Sequence, residues 1–221
     1  PAALEELTSR ALASGWQVAT HAIGDRANRV TLDVYERALA SVPSSDPRLR
    51  IEHAQVVDPA DIPRFAQLGV IPAMQPTHCT SDMPWAGDRL GPDRLVGAYA
   101  WRSFLDSGTR IPMGSDAPVE SPDPLWGIYA AVTRQDHAGQ PEGGWRPQQR
   151  LTVAEAIRGY TLDAAYGSFE EDIKGTLTTG KLADWVVLDR DPLSVPPADL
   201  LETRVLMTVV GGQIVHEQPA D

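Results

Sequence analysis

Short apolar runs alternate with amphipathic segments through the first half of the chain. The apolar runs cover residues 16–20, 49–54, 70–75 and 111–116. Between them, apolar residues recur at the three- and four-residue steps of helices; in the segment 26–40, for example, Val30, Val34 and Ala38 place one face inward. Strands that alternate with helices predict β/α units with parallel strands.

The spacing of three candidate functional residues indicates how large the full sheet is. His21, His53 and Asp116 each end one of the apolar runs, and 32 residues separate the two histidines, whereas 63 separate His53 from Asp116. An eight-unit barrel of ~250 residues has about 30 residues in each β/α unit. The pattern therefore predicts an α/β fold of (β/α)8 TIM-barrel type, of which this chain supplies the second half in about four units.

Polar and breaker-rich segments predict loops between these elements. The stretch 76–91 is expected to be a long loop after the third strand, and residues 135–150, rich in Gly, Pro and Gln, a surface loop or lid. Asp123-Pro124 is an N-cap followed by a first-turn proline, and Thr152 to Glu155 has the capping-box pattern, so a helix is expected after each.

From residue 174 the pattern changes to short apolar runs typical of β-strands. The last two of these runs are joined by a Gly211-Gly212 turn that suits a hairpin. Three strands are too few for an independent domain, so we expect them to complete a small β-sandwich with amino-terminal strands. The predicted domains are 1–173, the half-barrel, and 174–221, the carboxyl-terminal strands of that sandwich.

Composition narrows the class of protein. The 221 residues are 42% hydrophobic and 22% charged, and the net charge is −11. An acidic chain of this kind argues against a nucleic-acid or anionic-membrane partner and leaves a small neutral or cationic ligand open. The one cysteine, Cys79, allows no internal disulfide and fits a reducing compartment, so a cytoplasmic location is expected. No apolar run reaches membrane-spanning length.

His21, His53 and Asp116 are the candidate metal ligands. The carboxyl ends of neighbouring parallel strands meet at one edge, and two imidazoles with a carboxylate are the donor set of a catalytic zinc site. Asp116 could act both as ligand and as the catalytic base that takes a proton from metal-bound water. Without a metal, the histidines would be strand-end residues bonded to backbone, and Asp116 would cap a following turn.

Three further residues are candidates for substrate binding. Asp25 follows His21 at the same rim, although capping the next helix explains it equally well. His78 lies in the predicted loop, where a solvated histidine is an equal alternative, and Trp85 could line a pocket or belong to the core. His137 and His216 are interpreted as structural or exposed.

Four short segments together resemble a known family. They are His21-Ala22-Ile23-Gly24-Asp25, Ile51-Glu52-His53-Ala54-Gln55, Gly114-Ser115-Asp116-Ala117-Pro118, and 175–184 followed by the strand 185–188. On these segments the chain resembles the carboxyl-terminal portion of metal-dependent amidohydrolases, in the branch that includes N-substituted formamide deformylases.

The resemblance implies a distorted (β/α)8 barrel in which His21, His53 and Asp116 end the fifth, sixth and eighth strands. It implies that the histidines bind the more exposed metal of one or two, with zinc as the expected cofactor. It implies that the aspartate binds the buried metal and serves as general acid/base for water attack on a small amide, of N-acyl or N-formyl type. The loops 76–91 and 135–150 would shape substrate choice.

Part of the family pattern has no counterpart here. The His-x-His pair of the first strand and the bridging Lys or Glu of the fourth are absent. We therefore expect the chain alone to bind metal weakly or not at all, and to pair with the missing amino-terminal segment or to self-associate. The alternative function is a non-catalytic half-barrel, a fragment or module that needs a partner segment.

Overall fold

A computed structural model describes residues 1–42 and 44–219. Residues 43, 220 and 221, the last two at the end of the predicted second domain, lie outside the described residues. The chain divides into two compact units: Pro1–Gln75 with Ser81–Ile111, and Pro76–Thr80 with Pro112–Asp221. The domain boundary predicted at 173/174 is not tested by this division and stays a prediction.

The first unit contains a parallel sheet of three strands. The strands are β1 (Ala19–Ala22), β2 (Arg50–His53) and β3 (Ile71–Ala73). Their order is β1-β2-β3, and both pairs are parallel. Because β2 lies in the middle, its end is flanked by the ends of both neighbours. The predicted parallel β/α units are confirmed for these strands.

Helices accompany the strands in the expected order. They are α1 (Ala2–Ala13), α2 (Asp25–Ser41), α3 (Ile62–Leu68) and α5 (Trp101–Asp106). Of the predicted inward stripe of α2, Val34 and Ala38 are buried and Val30 is half-buried, and the buried face extends further to Leu32 and Tyr35. Gly69 ends α3 in the left-handed conformation, with φ of 66°, as a glycine can at a helix end.

The predicted loop 76–91 is wrong, because those residues form most of helix α4 (Pro76–Leu95). Pro76 occupies the first helical turn, where a missing N–H costs nothing, and so begins the helix instead of preventing it. The helical path is interrupted only near its end, at Gly91 with φ of 70°. The breaker residues of this segment thus mark a kink and not an open loop.

The run that ends at Asp116 forms no continuous strand within the described residues, where only Met113 makes an isolated bridge, which corrects the fourth predicted strand. Pro112 has no N–H to donate, and the Met113 N–H instead donates to the Gly159 carbonyl at 3.0 Å. This backbone hydrogen bond from Met113 to Gly159 helps to hold the segment in place.

Helices α6 (Pro124–Thr133), α7 (Val153–Arg158) and α8 (Ala164–Gly167) follow, with a π-helical turn, Gly159–Asp163, between the last two. The Asp123 cap and the capping box of Thr152 with Glu155 are both formed, as predicted. Each satisfies backbone N–H groups that a helix start leaves without intrahelical partners.

The carboxyl-terminal strands form an antiparallel sheet of order β4-β5-β6. They are β4 (Trp185–Leu188), β5 (Val205–Val210) and β6 (Gln213–Glu217), with the predicted glycine turn between the last two. Every residue of β6 is exposed, which is typical of an edge strand. Among the described residues, no helix is long and apolar enough to cross a membrane.

Candidate functional site

The side chains of His21 and His53 meet at the carboxyl ends of β1 and β2. Their ring centroids are 4.4 Å apart, with an edge-on interplanar angle of 70°. His21 is exposed, whereas His53 is 9% exposed. The pair therefore combines one solvent-facing imidazole with one held inside the protein.

The backbone of His53 explains how the two rings meet. Ala22, and not His21, is the register partner of His53, so regular alternation would send the two imidazoles to opposite faces of the sheet. His53 and Ala54 instead have φ of 79° and 44°, in the left-handed region. Such non-glycine residues cost about 1–3 kcal/mol each and persist only where the surrounding structure enforces them.

Gln75, two residues after the end of β3, orients the His53 ring. The Gln75 Oε1 lies 2.9 Å from His53 Nδ1, while its Nε2 donates to the Ala73 carbonyl at 3.3 Å. With the amide in this orientation, Nδ1 of His53 is the donor and Nε2 carries the lone pair. A hydrogen bond of this kind fixes the tautomer of metal-binding histidines, so this donor set fits a divalent metal such as zinc.

Asp116 lies near His78 in the second unit. The Asp116 Oδ2 is 3.9 Å from His78 Nε2, and the side chains are 42% and 10% exposed. His78 is on the first turns of α4 and is largely buried, so the solvated-loop alternative does not apply. An imidazole and a carboxylate at this distance can act on one substrate group or hold one cation.

The loop that carries Asp116 is fixed from one side by Tyr160. The Tyr160 hydroxyl donates to the Gly114 carbonyl at 3.3 Å, and Asp116 itself has φ of 58°. Burial raises the pKa of Tyr160 well above its usual range, with Asp123 adding to the effect, so the hydroxyl keeps its proton. Gly127 leaves the space that this side chain occupies.

Asp25 is paired with an arginine, whereas Trp85 is partly exposed to solvent. The guanidinium of Arg94 donates to both carboxylate oxygens of Asp25, at 2.6 and 3.0 Å. These hydrogen bonds hold the pKa of Asp25 below its usual value, against a smaller opposing effect of burial. Trp85, on α4, is 49% exposed, so it is not a core residue.

Sequence reasoning missed three residues that support these groups: Asn28, Gln75 and Tyr160. Gln75 is the last residue of the predicted strand 70–75, so the rule that selected the histidines could have selected it too. Asn28 is a polar residue on the buried face of α2, but the face predicted from Val30, Val34 and Ala38 did not include it. Tyr160 carries no comparable signal, because its contact with Gly114 spans 46 residues.

Strand-end histidines on a parallel α/β sheet, together with a small antiparallel sheet, agree with the predicted partial α/β barrel and its accompanying small sheet. Residues 1–216 match the model of the Amidohydrolase family. The chain belongs to this family. The predicted fold class, a partial amidohydrolase barrel with part of a small sheet, is thereby confirmed, as is the resemblance.

Three similar proteins support this assignment. The protein YtcJ of Bacillus subtilis is 38% identical over 215 residues, which are 97% of this chain and 40% of that protein. The N-substituted formamide deformylase of Arthrobacter pascens is 32% identical over 220 residues, 97% of this chain and 39% of the enzyme. The crystal structure of an uncharacterized metal-dependent hydrolase from Pyrococcus horikoshii is 33% identical, with a TM-score of 0.76 over 88% of this chain and 38% of that one. The chain thus spans about two fifths of the length of the curated relatives it matches.

Proposed function

We propose that the protein to which this chain belongs is a metal-dependent hydrolase that cleaves the C–N bond of a small amide, of N-acyl or N-formyl type, with metal-activated water. The observation that carries the proposal is the pair of imidazoles at adjacent strand ends, 4.4 Å apart. The similarity to an N-substituted formamide deformylase favours amides over other substrates. A cytoplasmic location is part of the proposal and rests on the cysteine content.

His21, His53 and Asp116 are the proposed ligands, with zinc as the proposed metal. The metal, when bound, lowers the pKa of a water molecule and polarises the amide carbonyl. The Gln75 contact at 2.9 Å supports the role of His53, because it assigns the proton to Nδ1 and leaves Nε2 to bind.

Asp116 is the proposed proton carrier. Its carboxylate would take a proton from water and return it to the leaving nitrogen, and its 42% exposure leaves it accessible to a substrate. His78, Trp85 and Asp25 are the proposed substrate contacts. For Asp25, a substrate would have to share the carboxylate with Arg94, which already engages both of its oxygens.

A second candidate is a non-catalytic half-barrel that needs a partner segment. It is favoured by the sheet of the first unit, in which β1 and β3 each pair on one side only within the described residues. Unpaired strand edges readily accept another strand. Both candidates share the proposal that the chain pairs with an amino-terminal segment or with itself.

One experiment separates the two candidates. The chain is purified alone and after co-expression with the amino-terminal segment of its parent protein, zinc is added, and bound metal is measured by mass spectrometry. Release of amine is then followed for a panel of N-formyl and N-acyl amines. The hydrolase proposal expects activity only in the paired form, reduced by about 100-fold or more in Asp116→Asn. The matched control is Asp88→Asn, at an exposed carboxylate on α4, which should retain full activity.

Full activity in Asp116→Asn would refute the role of that carboxylate. A paired form with no bound metal and no turnover on any amide would favour the half-barrel. One tightly bound zinc per isolated chain, with turnover, would contradict the need for a partner segment.

A further inference from the structure

We propose that Asn28 is the positioning residue of the histidine pair: its side-chain amide ties together the backbone that leaves β1 after His21 and the backbone that leaves β2 after His53. The inference rests on the proposed function in one respect, namely that the two imidazoles bind a metal together. Its structural part concerns only the first unit and does not need the metal.

Asn28 is fully buried, and its amide nitrogen lies among four backbone carbonyls. The distances from Nδ2 are 3.2 Å to Ala22, 3.3 Å to Ile23, 2.9 Å to Gly24 and 3.2 Å to Val56. Three of these carbonyls belong to the residues directly after His21, and the fourth lies three positions after His53. One side chain of α2 thus contacts the exits of both histidine-bearing strands.

The two exits also meet each other at the same place. The Ala54 N–H donates to the Ala22 carbonyl at 3.0 Å, and the Val56 N–H donates to the Ile23 carbonyl at 2.9 Å. The residue after His53 and the side chain of Asn28 therefore share one acceptor, the carbonyl of the residue after His21. A shift of either exit would change the separation of the two imidazoles.

This arrangement accounts for the left-handed backbone at His53 and Ala54, with φ of 79° and 44°. Non-glycine residues leave this conformation unless neighbouring contacts hold them. The hydrogen bonds of Ala54 and Val56 supply that restraint, and Asn28 supplies a donor at the point where they converge. Helix propensity offers no reason for the residue, since asparagine is a poor choice in a helix interior.

A purely stabilising role is the competing interpretation, because any buried amide with hydrogen bonds contributes to stability. The two interpretations differ in where the effect of a substitution appears. A stabilising residue lowers the protection of all core amides together, whereas a positioning residue acts on the two exits and on the joint binding by the histidines.

Asn28→Ala is a suitable variant because three of the four carbonyls keep a backbone donor: Ala54 N–H at Ala22, Val56 N–H at Ile23, and the N–H of residue 28 at Gly24. The protein is therefore expected to fold. The matched control is Thr31→Ala on the same helix, at a residue that is 3% exposed and whose hydroxyl donates to the Ala27 carbonyl within α2.

Hydrogen exchange of the chain, followed by NMR, tests the structural part. In Asn28→Ala, the Ala54 and Val56 amides should exchange about 10-fold faster than the change in global stability accounts for. In Thr31→Ala, they should change only as much as the other core amides. An equal response of these two amides in both variants would overturn the inference.

Zinc titration of the histidine ring signals tests the functional part, at a temperature where all variants are folded. In the form paired with the amino-terminal segment, wild type should show His21 and His53 responding together, and Asn28→Ala should weaken this joint response about 10-fold or more. Thr31→Ala should not change it, and an unchanged midpoint in Asn28→Ala would overturn the positioning role.

His21→Ala and His53→Ala distinguish a failure of the proposed function. If neither weakens zinc binding, the assignment of the ligands is refuted and with it the functional part of the inference. The exchange data still decide, in that case, whether Asn28 fixes the two strand exits.

Discussion

Gly127→Ala places a methyl group where the side chain of Tyr160 lies. The added Cβ would overlap the Tyr160 hydroxyl and come within 2.6 Å of its Cζ. The φ of Gly127 is not in the left-handed region, so lack of space, and not backbone strain, is the reason for the glycine. To make room, the phenol would have to leave the Gly114 carbonyl, to which its hydroxyl donates at 3.3 Å.

The magnitude follows from three contributions. Overpacking of a buried contact costs about 1–3 kcal/mol. Loss of the hydrogen bond to Gly114 adds about 0.5–1.5 kcal/mol. The better helix propensity of alanine returns up to about 1 kcal/mol. The net expectation is a loss of about 2 kcal/mol in the free energy of unfolding, which lowers Tm by about 4–8 °C for a chain of this size.

Urea unfolding followed by circular dichroism measures this loss. Gly87→Ala on α4 is the matched control, because its Cβ would meet only Leu95 Cδ1, at 3.9 Å, and it should be neutral or slightly stabilising. The double variant Gly127→Ala/Tyr160→Leu should recover part of the loss, since the smaller side chain leaves room. If Gly127→Ala is as stable as wild type, or if the two substitutions show no coupling, the explanation by overlap is refuted.

Three further predictions follow from individual contacts. Gln75→Leu removes the partner of His53 Nδ1 and should weaken zinc binding by the paired form about 10-fold or more, measured by competition with a chelator. The guanidinium groups of Arg29 and Arg64 ion-pair with the buried carboxylate of Asp61 at 2.6 and 3.1 Å. Asp61→Asn removes the negative charge that both contact and should lower the free energy of unfolding, measured in urea, by about 1–3 kcal/mol. The pKa of Asp25 is lowered in the folded state, chiefly by its hydrogen bond with Arg94. The stability that this carboxylate contributes is therefore present above its unfolded pKa and is lost as the pH falls towards the folded pKa. In pH-dependent unfolding, Asp25→Asn should remove this loss of stability at acid pH.

Each of these predictions has its own control. For Gln75→Leu it is Gln67→Leu, at an exposed position of α3, and equal zinc affinities of the two variants would contradict the orienting role. For Asp61→Asn it is Asp33→Asn, whose 43% exposed side chain pairs with Arg64 at 2.8 Å and should cost less. For Asp25, an acid-side stability curve that is the same in wild type and variant would contradict the assignment of the pKa shift.

The prediction of loop 76–91 shows where local patterns are insufficient. Proline and glycine mark breaks, and the segment contains Pro76, Pro84, Gly87 and Gly91. Pro76 lies where a helix start tolerates it, and only Gly91 departs from the helical path. Whether a breaker ends a helix depends on its position in that helix, which the pattern around it did not reveal.

The sequence alone determined the order of the β/α units, the parallel pairing of the first three strands, and the strand-end positions of His21 and His53. These follow from periodicity and from the common direction of parallel strands, which are properties of neighbouring residues. Tertiary structure alone decided that the rings meet, through left-handed φ at His53, and that Asn28, Gln75 and Tyr160 hold the candidate groups. Those contacts join residues distant in the chain, and no local pattern specifies which distant carbonyl or ring nitrogen a buried polar side chain will meet.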